Sequence, residues 1–189
     1  MAFGALEKTR ARNAATMIRM KLSRESCAAP IDIIKYWPQT GVKTGVVASY
    51  LPIKTELDPR PLMTALAQAG HELALPCIKR KQHPLEFRRY QLGDKLRGGA
   101  YNTREPQRTA VIVTPDVMLV PLLAFSRDGH RLGYGGGFYD RTLAALRSQG
   151  QIFACGLAFA GQEVPVLTTD EHDQKLDGVL TENGLRIFT

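Results

Sequence analysis

The sequence predicts a single α/β domain over residues 1–189, with a mostly parallel central sheet flanked by helices. Three observations carry this. Two short apolar runs, Val46-Val47-Ala48-Ser49-Tyr50 and Glu72-Leu73-Ala74-Leu75-Pro76-Cys77, enclose a helical stretch from Arg60 to Ala69. That strand–helix–strand order builds parallel sheets. A second apolar run, Val117 to Leu122, leads through a loop to a helix-like stretch, Tyr139 to Ser148, and a further run, Ile152 to Leu157. Finally, 189 residues suffice for one well-buried core and are short for two.

Taken in order, Glu7 to Leu22 holds no Pro or Gly, and Ala11, Ala14, Ala15, Ile18 and Leu22 recur at helical spacing. A first helix with these as its apolar face is expected. Lys8 and Arg12 sit four apart and share one face; a solvated basic face and an anion site both fit them. Pro30 and Pro38 interrupt the next stretch, where Ile31 to Trp37 fits helix or strand alike. Val46 to Tyr50, bounded by Gly45 and Pro52, reads as a buried strand. The loop that follows it is placed where open α/β sheets bind ligands. Asp58 is expected to cap the next helix, with Pro59 at its first position and Gly70 ending it. Glu56 lies before the cap without a local role, which makes it the better functional candidate. Lys79 to His83 is a charged connection, Leu85 to Tyr90 alternates as a half-exposed strand, and Gly98 to Pro106 is irregular. Asp128-Gly129 signals a tight turn. His172, among carboxylates, reads as a surface group rather than a metal ligand.

Composition excludes several classes. Hydrophobic residues at 44% and charged residues at 23% are ordinary for a globular protein. The apolar runs fall short of the roughly 20 residues that span a bilayer, and the basic N-terminal stretch is unlike a signal peptide. A cytoplasmic protein without a membrane partner is expected. Cys27, Cys77 and Cys155 are odd in number and far apart, so reduced, buried thiols are expected. Lys and Arg exceed Asp and Glu by 25 − 18 = 7. The basic residues are spread along the chain, which suits a small polyanion better than nucleic acid.

The densest signal is Arg131-Leu132-Gly133-Tyr134-Gly135-Gly136-Gly137-Phe138-Tyr139-Asp140, between the Val117 strand and a helix. Glycines let backbone N–H groups approach a ligand closely, and converging N–H groups near a helix start suit phosphate. Gly136, at the centre of the run, is expected to need positive φ. Arg131 adds a planar cation and Asp140 a carboxylate able to hold Mg²⁺. The run lacks the Gly-Lys-Ser/Thr of a Walker loop and the downstream acid of a Rossmann fingerprint. By spacing alone it is either a phosphate site of unspecified type or a surface turn whose Asp favours the helix start.

Together with Pro121-Leu122-Leu123-Ala124-Phe125 and Asp128-Gly129-His130, this run resembles the signature of 5-formyltetrahydrofolate cyclo-ligases, also called methenyltetrahydrofolate synthetases. The segment Tyr50 to Pro59 resembles that family's folate loop, and the resemblance extends from about residue 7 to about residue 182. It implies a three-layer fold like the ribose-phosphate isomerase and CoA-transferase group. It also implies ATP contacts from Lys8, Arg12 and residues Arg131, Leu132, Gly133, Tyr134, Gly135, Gly136, Gly137, Phe138 and Tyr139. Folate contacts are implied for Glu56, Tyr50, Tyr101, Tyr134, Gly135, Gly136, Gly137 and Phe138, and Mg²⁺ contacts for Asp140 and Asp173. Asn102 stands where the family has Gly after the aromatic, and Asn tolerates the left-handed region better than most residues.

The implied reaction is ATP- and Mg²⁺-dependent closure of 5-formyltetrahydrofolate to 5,10-methenyltetrahydrofolate with release of ADP and phosphate. No protein nucleophile is expected, with Arg131 stabilising phosphate charge. A monomer acting on a reduced folate, polyglutamylated or not, is expected. Two rivals remain open at this point: a non-catalytic folate- or nucleotide-binding regulator, and an RNA-binding domain favoured by charge.

Overall fold

The computed structural model of the chain describes residues 2–41 and 45–188. Its centre is a sheet whose strands are β1 (Val46–Ala48), β2 (Glu72–Cys77), β3 (Glu86–Arg89), β6 (Val117–Pro121), β9 (Phe153–Leu157), β11 (Gly178–Thr181) and β12 (Gly184–Ile187). Between β3 and β6 comes a small pair, β4 (Arg97–Gly98) and β5 (Arg104–Glu105). After β6 the chain forms β7 (Ala124–Ser126) and β8 (Arg131–Leu132), which join β10 (Glu163–Val164) in a second, three-stranded sheet. Four α-helices complete the described residues: α1 (Ala2–Glu25), α2 (Ala29–Asp32), α3 (Arg60–Gln68) and α4 (Phe138–Arg147).

The main sheet runs β12-β11-β9-β6-β1-β2-β3. Its five inner strands are parallel, and β12 and β3 pair antiparallel at the two edges. The period-2 alternation of strands divides the core into two faces. Val47, Leu73, Leu75, Val117, Leu119, Cys155 and Leu180 face Ile33, Trp37, Leu62, Met63 and Leu66 of the α2–α3 side. Ala48, Ala74, Met118, Val120, Ala154 and Val179 face Leu143 and Leu146 of α4. The fold is thus three-layered, helix on sheet on helix, as the sequence implied.

The chain runs from β1 outward to β2, then returns to β6 on the other side of β1. That reversal is a topological switch point, where ligands bind beyond the strand C-termini. The loop carrying Glu56 leaves β1 and the segment leading to the glycine run leaves β6, so the fold brings both to one place.

Several expectations need correction. The helix over Glu7–Leu22 is longer, and Ile18 and Ala14 point outward while Arg19 is buried. Ile31 to Trp37 is helical, with α2 continuing as a 3-10 segment, Ile33–Thr40. Pro59 rather than Asp58 occupies the cap of α3, since the helix bonds begin with the Pro59 carbonyl, which accepts the Met63 N–H at 2.8 Å. The Asp58 carboxylate still serves the helix start by accepting the Arg60 N–H at 3.0 Å. Arg131 and Leu132 belong to a hairpin inserted between β6 and the glycine loop, turned at Gly129 with φ +86°. Cys27 is exposed, whereas Cys77 and Cys155 are buried.

Candidate active site

The glycine loop lies between two arginines. From α1, Arg12 Nε donates to the Gly133 carbonyl at 3.1 Å, and its guanidinium lies against Gly135. From α4, Arg141 Nη2 donates to the Gly136 carbonyl at 2.7 Å, and its guanidinium lies 5.3 Å from the Phe138 ring centroid. Gly135 (φ +91°) and Gly137 (φ +64°) take left-handed backbone, but Gly136 does not, contrary to expectation. A β-carbon at Gly136 would instead meet the Phe138 ring at 3.0 Å. Gly137 caps α4, so the first N–H groups of that helix, Phe138 to Asp140, lack intrahelical acceptors.

Next to the loop, the acidic residues are held by cations. Lys8 Nζ sits 2.7 Å from Asp170 and 2.9 Å from Asp173. Burial works against the charged lysine, but its hydrogen bonds to Asp170 and then Asp173 outweigh that and raise its pKa. Asp140 Oδ1 accepts from Arg131 Nη2 at 2.6 Å and from the Gln174 N–H at 3.1 Å. Arg131 also donates to the Gln174 carbonyl. Its side chain is 5% exposed, and burial lowers its pKa. Arg131, expected to stabilise phosphate, is here paired with Asp140 and with the Gln174 carbonyl of the 170–174 turn. Through Gln174 the turn brings Asp173 next to Asp140.

Each of these two carboxylates uses one oxygen in these bonds, Asp140 Oδ1 and Asp173 Oδ2. Among the described residues no three His, Cys, Asp or Glu side chains gather as a metal cluster. Two carboxylates fit a Mg²⁺ ion that takes its remaining ligands from phosphates and water. His172 is exposed beside Glu171, as a surface group would be.

On the other side of the glycine loop stands Glu56, 8% exposed. It does have a local role, against expectation: its Oε2 accepts the Ile53 N–H at 2.9 Å and closes the turn after β1. Burial raises its pKa to about 7, opposed by that N–H, by Arg19 and by Tyr134. Arg19 is buried and its Nη1 lies 4.0 Å from Glu56 Oε1. Its Nη2 donates to the Tyr134 hydroxyl. The sequence reading missed Arg19, although it continues the Lys8, Arg12, Ala15 stripe of α1 at four-, three- and four-residue steps.

The aromatics divide. Tyr134 is 43% exposed and Tyr101 is 58% exposed, and Tyr101 stands edge-on to Phe138 at 6.0 Å. These rings form an open wall along the loop. Tyr101 itself, rather than Asn102, takes the left-handed conformation, at φ +56°. Tyr50 does not join the wall: it is 3% exposed, and its hydroxyl donates to the Leu57 carbonyl at 2.6 Å. It supports the Glu56 loop from inside. Tyr139 packs against the α4 side of the core, its phenol pKa pushed well up by burial.

Known proteins resemble the chain along most of its length. A model of the 5-formyltetrahydrofolate cyclo-ligase family matches residues 11–182. The chain is 36% identical over 149 residues to the 5-formyltetrahydrofolate cyclo-ligase of Escherichia coli K12, covering 74% of this chain and 79% of that one. Against the Haemophilus influenzae cyclo-ligase it is 32% identical over 139 residues, covering 71% and 74%. The solution structure of Aquifex aeolicus 5,10-methenyltetrahydrofolate synthetase superposes with a TM-score of 0.77 at 28% identity, covering 95% of this chain and 92% of that one.

Proposed function

The chain belongs to the 5-formyltetrahydrofolate cyclo-ligase family, and from that premise we propose that it closes 5-formyltetrahydrofolate to 5,10-methenyltetrahydrofolate at the expense of ATP. A formamide oxygen is a poor leaving group. Transfer of the ATP γ-phosphoryl group to that oxygen yields ADP and a carbon open to attack. N10 of the same molecule then bonds to this carbon and gives up its proton to water or to the departing phosphate, and the C–O bond breaks to release phosphate and leave the methenyl amidinium.

Phosphoryl transfer depends on positioning and charge neutralisation more than on a protein nucleophile. The residues here suit that demand. The glycine loop and the free N–H groups at the start of α4 would take the phosphates, with Arg12 alongside. Lys8 would exchange its carboxylate partners for phosphate oxygens. Asp140 and Asp173 would hold Mg²⁺, which supplies charge neutralisation on the phosphates, and Arg131 would fix the orientation of Asp140. Glu56, Tyr134, Tyr101 and Phe138 would bind the folate so that N10 stays close to the activated carbon, an entropic advantage of several kcal/mol, roughly 7–11 in well-aligned systems.

The observation that carries this reading is the meeting of two loops at the switch point. The glycine loop after β6 and the Glu56 loop after β1 are joined through Tyr134 and Arg19. The test is incubation with 5-formyltetrahydrofolate and Mg-ATP, following the methenyl product by absorbance and ADP by a coupled assay. Equal amounts of both products are expected. ATP and folate binding without turnover would favour the regulator reading instead.

A further inference from the structure

Arg19 has 0% exposure on a helix face whose Ala11 and Ala15 pack with Leu123, Ala124 and Leu132. A buried guanidinium is costly unless its donors are paired. Its partners come from three separate segments. Nη1 donates to the Leu122 carbonyl at 2.9 Å, just past β6. Nε donates to the Thr55 hydroxyl at 3.3 Å, in the loop after β1. Nη2 donates to the Tyr134 hydroxyl in the glycine loop, and the guanidinium carbon lies 5.3 Å from that ring's centroid. Glu56 completes the set at 4.0 Å.

Packing alone does not call for this residue, since apolar replacements of buried ionic groups are often neutral or stabilising. We propose that Arg19 is a positioning residue. It holds the Tyr134 hydroxyl and the Glu56 carboxylate in one register and locks the loop after β1 to the glycine loop. The two substrates of the proposed reaction then meet in alignment. The inference rests on the reading that Glu56 and Tyr134 face the folate. The planar fork of arginine is what allows three acceptors in different directions to be served at once; the single ammonium of lysine keeps the charge but not that reach.

The groups that face Glu56 define the test. They are Arg19 from α1, Tyr134 from the glycine loop, Tyr50 after β1 and Tyr139 from α4, with Lys54 6.0 Å from the Tyr134 ring centroid. Arg19 and Tyr134 both favour the ionised carboxylate.

Two measurements decide the matter. The first follows the Glu56 carboxyl by ¹³C NMR titration in ligand-free protein, for wild type, Arg19→Met and Tyr134→Phe. Its midpoint is expected to move to higher pH in both variants, further in Arg19→Met. The second is steady-state kinetics. Arg19→Lys is expected to raise KM for 5-formyltetrahydrofolate about tenfold, with KM for Mg-ATP within about twofold of wild type. Adding Tyr134→Phe to Arg19→Lys should cost little more, because both cut the same link. An unmoved midpoint, or fully additive kinetic effects, overturns the proposal. Should the Arg19 variants fail to fold, the Tyr134→Phe titration decides alone. If wild type makes no methenyl product, the proposed reaction falls, while the titration still judges whether Arg19 sets Glu56.

Discussion

The Arg12 guanidinium lies so close to Gly135 that a β-carbon added there would stand 3.0 Å from its Cζ, and Gly135 itself holds φ +91°. Two independent costs therefore attach to this position. The left-handed backbone costs an L-residue roughly 1–2 kcal/mol, and Arg12 must move away from the loop. Gly135→Ala is expected to raise KM for ATP strongly while the protein still folds with a modestly lower Tm. Gly136→Ala, without left-handed φ, is expected to lower Tm less. Kinetics and thermal melts of both variants check this; equal Tm losses would mean the loop is not held as described.

Glu56 gives a stability prediction with a definite sign. Burial lifts its pKa from 4.5 to about 7, so the folded chain holds the proton more tightly than the unfolded chain. The contribution of the neutral carboxyl to stability is full below about pH 4.5 and is lost as pH rises through about 7. The loss is on the order of 3 kcal/mol. Glu56→Gln keeps an acceptor for the Ile53 N–H without a charge, so it should gain stability over wild type as pH increases from 4.5 to 8. Urea midpoints across that range measure it. The same variant should impair folate use and spare ATP binding, because a charged acceptor is worth roughly 1.5–3 kcal/mol.

For the carboxylates, Asp140→Asn is expected to raise the Mg²⁺ concentration needed for half-maximal turnover. Asp173→Asn should do so more weakly, since that change also releases Lys8 from one of its two partners. Asp173→Asn should cost no more than about 1 kcal/mol of stability, because that side chain is partly exposed, whereas Asp140→Asn should cost more, because it leaves the buried Arg131 guanidinium without its carboxylate. Mg²⁺ titration at fixed ATP is the measurement. Curves overlaying wild type for both variants would place the metal elsewhere.

Tyr101 combines 58% exposure with left-handed backbone and an edge-on contact to Phe138. Tyr101→Gly removes the backbone strain, about 1 kcal/mol or more, and the ring contact, about 0.5–1.5 kcal/mol. These offset, so Tm should stay nearly unchanged. KM for 5-formyltetrahydrofolate should rise, because the open aromatic wall loses a member. A large fall in Tm would make Tyr101 a structural residue instead.

The glycine run, the parallel sheet and the face shared by Lys8 and Arg12 were legible because each is written in local terms: residue type, run length and helical spacing. Local rules also misled where tertiary contacts outweighed them. The apolar spacing of α1 put Ile18 inward beside Ala11, Ala15 and Leu22, yet the helix turns Arg19 inward, because acceptors from three distant segments meet its guanidinium at Thr55, Leu122 and Tyr134. The edge strand β12 carried no local mark that set it apart from a surface tail.

By itself the sequence determined the fold class, the place of the glycine loop between strand and helix and, through resemblance, the family. The tertiary structure alone decided which charges are free and which are spent. Arg131 is taken up by Asp140, Lys8 by Asp170 and Asp173, and Tyr50 by the Leu57 carbonyl. Glu56 is lifted towards neutrality by its burial. The physical reason is range. A helix, a strand or a glycine turn is set by neighbours within a few residues. The protonation and pairing of a side chain depend on groups brought close by the return of β6 beside β1, from parts of the chain far apart in sequence.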